Sequence, residues 1–235
     1  MLLIGIAIYG LAQSRQPGID SLKQELVMAR HDTTRVMIMV DLCTYYRLSD
    51  PDSALYYGQQ ALILAKEIKF PKGEMLALSF QSYVMRSIRN LPRSMEMGLK
   101  ALQLAEENQL QEHTTPTLNS IGGIYKTLGD LPKALTYFKQ QMIVGAKFSE
   151  KTGLAYAELS IGGIFEEMNQ LDSSAYYLKK SLEHFNALDR VEPQVFASLG
   201  DMEMKSGNTS LALDYYRKSL TLSIQNDEPT RTSST

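Results

Sequence analysis

The stretch Asn119 to Met142 recurs along this chain at a spacing close to 40 residues, and that period constrains the fold more than any other feature. The stretch is an amphipathic segment, a Gly129-Asp130 break, and a second amphipathic segment. Gly122 and Tyr125 lie one helical turn apart and so share a face. Pro132 suits the first turn of a new helix, where its missing N–H is no loss. Ala134, Phe138 and Gln141 then follow at four and three, the spacing of a buried helical stripe. A small residue at 122 lets the second helix approach closely, with the Tyr125 ring filling the space beside it. The predicted unit is a helical hairpin that cannot bury its apolar face alone.

Forward by 40, the same places hold Gly162, Phe165, Ser174, Leu178 and Ser181; forward by a further 38 they hold Gly200, Glu203, Ala212, Tyr216 and Ser219. Backward by 40 they are Ser82, Met85, Ser94, Gly98 and Ala101, and one step earlier Leu42, Tyr45, Ala54, Gly58 and Ala61. Small side chains at 54, 94, 134, 174 and 212 mark five copies. A period of this length in amphipathic helices predicts a solenoid of helix pairs.

The residues Ile121-Gly122, Tyr125, Gly129-Asp130, Ala134 and Tyr137-Phe138 resemble the tetratricopeptide repeat, and the likeness extends over about residues 35–226. No Trp occupies the fourth place of any unit, Glu203 replaces the aromatic in the last, and Leu42 replaces Gly in the first. The resemblance implies an all-α fold, a right-handed α-solenoid of about five hairpins with an N-terminal capping helix. The units are 35–68, 75–108, 115–148, 155–188 and 193–226, separated by turns at Phe70–Gly73, Asn108–Thr114, Ser149–Gly153 and Asp189–Glu192. Residues 13–34 form a connector and the capping helix, in which Asp20 caps a segment running to Arg30 with Leu22, Leu26 and Val27 on one face. Residues 227–235 are a polar tail.

Met1 to Ala12 is apolar throughout, about 18 Å long as a helix and too short to cross a hydrocarbon core of roughly 30 Å. Its length fits the apolar region of a secretory signal, and Gly10 and Ala12 supply small residues before a cleavage point. No Lys or Arg precedes it, so a mis-assigned start or a packed N-terminal helix stays open. Export, periplasmic or secreted, is the expectation if it is a signal, and a cytoplasmic protein otherwise.

A net charge of −2 argues against a nucleic-acid partner, which needs a basic stripe to neutralise phosphates. The single cysteine, Cys43, excludes an internal disulfide and lies in an apolar segment as a small packed residue. His31, His113 and His184 fall in three different places, so no shared metal or catalytic triad is expected. No phosphate loop or nucleophile elbow is present, and Gly122-Gly123 and Gly162-Gly163 repeat at the array period as packing glycines. No cofactor, metal or catalytic residue is predicted.

What remains is surface. The resemblance implies that the first helices line a concave groove that takes an extended peptide or a partner segment. Carried over place by place, the groove offers Tyr46, Tyr83, Arg86, Asn119, Lys126, Tyr156 and Glu166. Val36, Met39, Cys43, Leu76, Ser79, Pro116, Gly123, Leu159, Gly163, Gln194, Ala197, Asp201 and Met204 fill its other places. The Lys/Asn clamp that some family members use for a terminal carboxylate is not reproduced. Tyr and Arg are typical interface anchors, although tyrosines can equally pack between neighbouring first helices. Glu166, Glu167 and Asp201 make the C-terminal third more acidic. Leu213, Tyr216, Leu220 and Ile224 recur on the last helix with nothing apolar after them, a stripe for a homodimer contact or for a chain that continues.

The stretches from Ile19 to Arg35 and Ser49 to Ala54, with Gln60-Ala61-Leu62, resemble the exported sensor region of bacterial histidine kinases built on these repeats. That resemblance implies a non-catalytic, ligand- or partner-sensing scaffold. The alternatives are a cytoplasmic, peptide-responsive regulator and the regulatory region of a larger enzyme.

Overall fold

The computed structural model describes residues 18–47, 49–189 and 192–227, with side chains described through Ile224. Met1–Ala12 and the end of the polar tail lie outside the described residues. Eleven α-helices and no strand are found among the described residues. They are α1 (Ile19–Met28), α2 (Asp32–Tyr46), α3 (Pro51–Glu67), α4 (Pro71–Ser87), α5 (Leu91–Glu107), α6 (Thr115–Thr127), α7 (Leu131–Lys147), α8 (Lys151–Glu167), α9 (Leu171–Asn186), α10 (Pro193–Lys205) and α11 (Thr209–Asp227). After α1 they pair as five hairpins, and α5 is followed by one 3-10 turn at Gln111–His113.

Local chemistry sets the breaks. Asp50, Asn90 and Asp130 each cap a second helix by accepting the N–H three residues on, at 3.1, 3.3 and 3.1 Å, with a proline in the turn that follows. The helices end in a left-handed residue at Lys69, Arg89, Gln109, Gly129, Ser149, Asn169 and Gly207. At each, the next residue's N–H reaches back five places to a carbonyl, as Asp130 N–H does to Tyr125 O at 3.0 Å. Only 129 and 207 carry the glycine that this backbone favours. The break therefore recurs every half-repeat, although glycine signals it only twice.

This half-repeat corrects several expected boundaries. Phe70–Gly73 and Ser149–Gly153 are not spacers, because helix resumes at Pro71 and Lys151 and Gly73 and Gly153 are buried inside it. The α1 cap is Gly18 rather than Asp20, which sits in the first turn, and the helix stops at Met28 instead of Arg30. Leu22 is buried, and Ile19 and Leu26 pack with it, but Val27 is 87% exposed and off the face. The last helix runs on to Asp227.

The chain divides into two compact units, residues up to Ser120 and residues from Ile121. In the first, α1 packs on α2, α2 on α3, α3 on α4, α4 on α5, and the two first helices α2 and α4 touch directly. Val36, Val40, Met75, Ala77 and Ala101 form its core. In the second, α7 packs on α8, α8 on α9 and α10, and α10 on α11. Its core gathers Phe138, Ile161 and Ile164 in one cluster and Leu178, Phe185, Val195 and Leu199 in another.

Ala54, Ser94, Ala134, Ser174 and Ala212 are all at 0% exposure, as the period requires. Gly122, Gly162 and Gly200 are also buried, and a Cβ on each would come within 2.6–2.8 Å of Phe138, Leu178 and Tyr216. The expectation that Tyr125 fills the space at Gly122 is corrected: Phe138 fills it. Tyr125 instead stacks on Tyr137 at 5.4 Å, and Phe165 on Tyr177 at 5.6 Å.

On α11, Tyr216 packs against Gly200 and donates to Asp201 Oδ1 at 2.7 Å. Leu213, Leu220 and Ile224 remain about half or more exposed, and Leu211 is exposed beside them. Among the described residues no helix is long and apolar enough to cross a membrane.

Candidate binding surface

The first helices present their surface mainly at their C-terminal ends. Several places predicted to line the groove are closed by neighbouring first helices. Val36, Met39, Cys43, Leu76, Ser79 and Leu159 are buried, with Cys43 at 0% exposure and its thiol pushed up to about 12 by desolvation. Ser79 donates to Met75 O at 2.9 Å and shares a hydrogen bond with Thr117. Those residues pack; they are not a surface.

In the first unit, Tyr46 stacks on Tyr57 with centroids 5.8 Å apart and planes 4° from parallel, and Lys23 Nζ sits 5.6 Å from its ring. Tyr83 is half-buried. Arg86, one turn further on α4, lies over its ring with Cζ at 4.8 Å, and Arg47, at the end of α2, lies over the same ring at 5.6 Å. Arg47 donates to Thr44 O at 2.6 Å. Neither guanidinium has a carboxylate within salt-bridge distance among the described residues, and Arg86 Nε is covered without a hydrogen bond. Arg47 was not predicted; its signal was the place after Tyr46, just beyond the four places carried over. Asn119 is half-buried on α6.

The second unit closes its own charges. Lys126 Nζ meets Glu167 Oε1 at 2.9 Å. Lys205 Nζ meets Glu166 Oε1 at 2.5 Å and donates to Glu166 O at 3.0 Å. Asp201 is engaged by Tyr216, and this hydrogen bond pushes the phenol up to about 12. The expected acidic end is thus answered by lysines four hairpin-turns of sequence apart from one another. Tyr156 turns inward: its ring meets Phe185 edge-on at 5.0 Å and its hydroxyl donates to Glu192 at 2.7 Å. That is a packing role.

One Glu–His pair lies deeper. Glu158, 6% exposed, has its Oε2 2.7 Å from His184 Nδ1, and burial raises its carboxyl above the ordinary value. The places equivalent to 158 and 184 hold Leu78 and Leu104 in the second hairpin. Among the described residues no three His, Cys, Asp or Glu side chains are grouped as a metal site would need.

No protein-family model matches the chain, and no curated protein matches it. Solved structures do. BtubC (BKLC) from P. vanneervenii aligns with a TM-score of 0.66 at 19% identity, covering 92% of this chain and 95% of that one. A Rap protein complexed with Competence and Sporulation Factor aligns at 0.64 and 13% identity, over 88% of this chain and 70% of that one. A STAND signal-transduction ATPase with a tetratricopeptide repeat sensor, PH0952 from Pyrococcus horikoshii, aligns at 0.59 and 15% identity; 90% of this chain spans only 33% of that one. The likeness is one of fold. The chain has the tetratricopeptide-repeat fold.

Proposed function

We propose that this chain is a non-catalytic scaffold that binds an extended peptide or a protein segment along the ends of its first helices. We place it as the ligand- or partner-sensing region of a bacterial signalling protein. The observation that carries the reading is the half-buried cluster of Arg47, Tyr83 and Arg86, in which neither guanidinium has a carboxylate at salt-bridge distance among the described residues. Tyr and Arg in such a setting are the residues that anchor partners. The Rap complex and the tetratricopeptide repeat sensor support it by analogy of fold.

The sensing role rests on the stretches at Ile19–Arg35 and Ser49–Ala54, and export rests on Met1–Ala12. The regulatory region of a larger enzyme, such as a histidine kinase, is the second reading. It is favoured by the uncovered Leu213, Leu220 and Ile224 on α11, an apolar stripe suited to a second copy or to further chain. A pull-down with the array as bait tests the scaffold: specific partners are expected, and they should be lost on Tyr83→Ala with Arg86→Ala. Partners retained in full by that variant would sink the reading. A monomeric mass at every concentration would remove the second copy.

A further inference from the structure

Four of the five hairpins carry two apolar residues at the places where the fourth carries Glu158 and His184. The equivalent pairs are Ile38 and Leu64, Leu78 and Leu104, Leu118 and Val144, and Phe196 and Leu222. Glu158 on α8 is 6% exposed, and its Oε2 lies 2.7 Å from Nδ1 of His184 on α9. An apolar pair of similar volume is often as stable in such a place, or more so. A chain that breaks its own packing rule at one hairpin accepts a cost there that packing does not explain.

The pair sits in the seam that closes the hairpin. Three residues before each member, Ser181 Oγ donates to Ala155 O at 2.8 Å. Next to His184, the buried Phe185 ring meets Tyr156 edge-on at 5.0 Å and shares a core cluster with Leu178, Val195 and Leu199. The seating of α10 on α8 and α9 therefore runs through the residue beside His184.

With one proton between them, the carboxylate and the imidazole are neutral as a pair, whichever group carries it. Without that proton a negative charge stays behind in a buried place, facing a neutral imidazole, and unbalanced buried charge is costly. Lys180 and Glu183 on α9 are the other charges that act on Glu158, and they are bonded to each other at 2.9 Å. On the α10 side Glu192 accepts from Tyr156; on the α7 side Lys147 lies over Phe148, and Glu150 caps α8. Burial raises the Glu158 carboxyl above its ordinary value, so the closed hairpin holds its proton more tightly than an opened one.

We propose that Glu158 and His184 form a proton-operated latch on the fourth hairpin, closed while the pair holds its shared proton and eased as that proton leaves to solvent with rising pH. Easing lets α9 lift from α8 and uncovers Phe185, which makes the packing of α8, α9 and α10 respond to pH. The inference does not depend on the scaffold reading.

The test is amide hydrogen exchange of α8 and α9 in the full chain between about pH 5 and pH 8, read as protection factors so that the intrinsic pH dependence of exchange drops out. Wild-type protection is expected to fall about tenfold across that range. Glu158→Gln keeps the shape and a hydrogen-bond acceptor but cannot ionise, and should lose the fall. Glu158→Leu with His184→Leu, the pair of the second hairpin, should lose it too, and keeps the test decisive if the glutamine variant does not fold. Wild-type protection that is flat or rises with pH overturns the latch, and so does a fall of equal size in either folded variant.

Discussion

In the unit up to Ser120, buried hydroxyls and a leucine occupy the places where helices cross; in the unit from Ile121, glycine on the first helix faces a large side chain on the second. Ser82 and Ser94 bond each other's carbonyls, Ser82 Oγ to Ser94 O at 2.8 Å and Ser94 Oγ to Ser82 O at 2.6 Å, and Ser120 Oγ lies 2.7 Å from Ser82 Oγ. In the first hairpin the bulk sits on the first helix as Leu42, and Gly58 on the second leaves room for Gln81, whose Nε2 donates to Gly58 O at 3.0 Å. The pairs Gly122 with Phe138, Gly162 with Leu178 and Gly200 with Tyr216 reverse this. At least one small side chain stands at the crossing in every hairpin. Which helix supplies it, and whether it is polar, is free.

The same contrast holds for charge. The second unit pairs Lys126 and Lys205 with Glu167 and Glu166, whereas at the equivalent places of the first Arg86 and Arg47 lie over the Tyr83 ring with no carboxylate at salt-bridge distance among the described residues. A scaffold position can thus be structural in one repeat and available in the next.

Substitutions can break or sharpen this contrast. Phe138→Ala empties the aromatic side of the crossing and should cost about 3–5 kcal/mol in chemical denaturation. A loss below about 1 kcal/mol would mean that the ring does not carry the crossing.

His184→Leu should cost about 2 kcal/mol near neutral pH, because it leaves the buried Glu158 carboxylate unpaired. Burial already raises Glu158 above 4.5, so the folded state holds that proton more tightly than the unfolded chain. Stability from this group is therefore full below 4.5 and is lost as pH rises through the raised folded value. Loss of His184 removes a hydrogen bond and a charge that oppose the rise, and Lys180 and Glu183 are the other charges that act on Glu158. The variant's deficit should thus grow from acid toward neutral pH. Glu158→Leu with His184→Leu, which installs the leucines of the second hairpin, should abolish that slope.

Ser82→Ala breaks the hydroxyl network of the first unit and should cost about 1–2 kcal/mol, less than the loss of a ring in the second. Lys126→Ala, removing an exposed ion pair, should change stability by no more than about 0.5 kcal/mol. A larger loss there would show that the second unit depends on its paired charges as well as on its packing.

The hairpin order and the crossings were legible in the sequence because a small residue every 40 positions leaves a periodic trace. The half-repeat was not. Lys69, Arg89, Gln109, Ser149 and Asn169 adopt the left-handed turn without glycine, so the chain's punctuation is in hydrogen bonds that composition does not announce. The groove was legible by half. Tyr83 and Arg86 are half-buried and keep part of their surface, whereas Val36, Met39 and Cys43 are buried where α2 and α4 lie close together. Glu166 was readable as an acid but not as one already held by Lys205, which lies 39 residues away. Arg47 escaped because its role depends on a ring from another hairpin.

All five hairpins depend on small side chains where their helices cross, and the direct measurement is the melting of five single variants, leucine replacing Ala54, Ser94, Ala134, Ser174 or Ala212 in turn. Each should lose about 1–3 kcal/mol, whichever way its hairpin distributes bulk. Leucine accepted without loss at two or more of the five would contradict a common crossing.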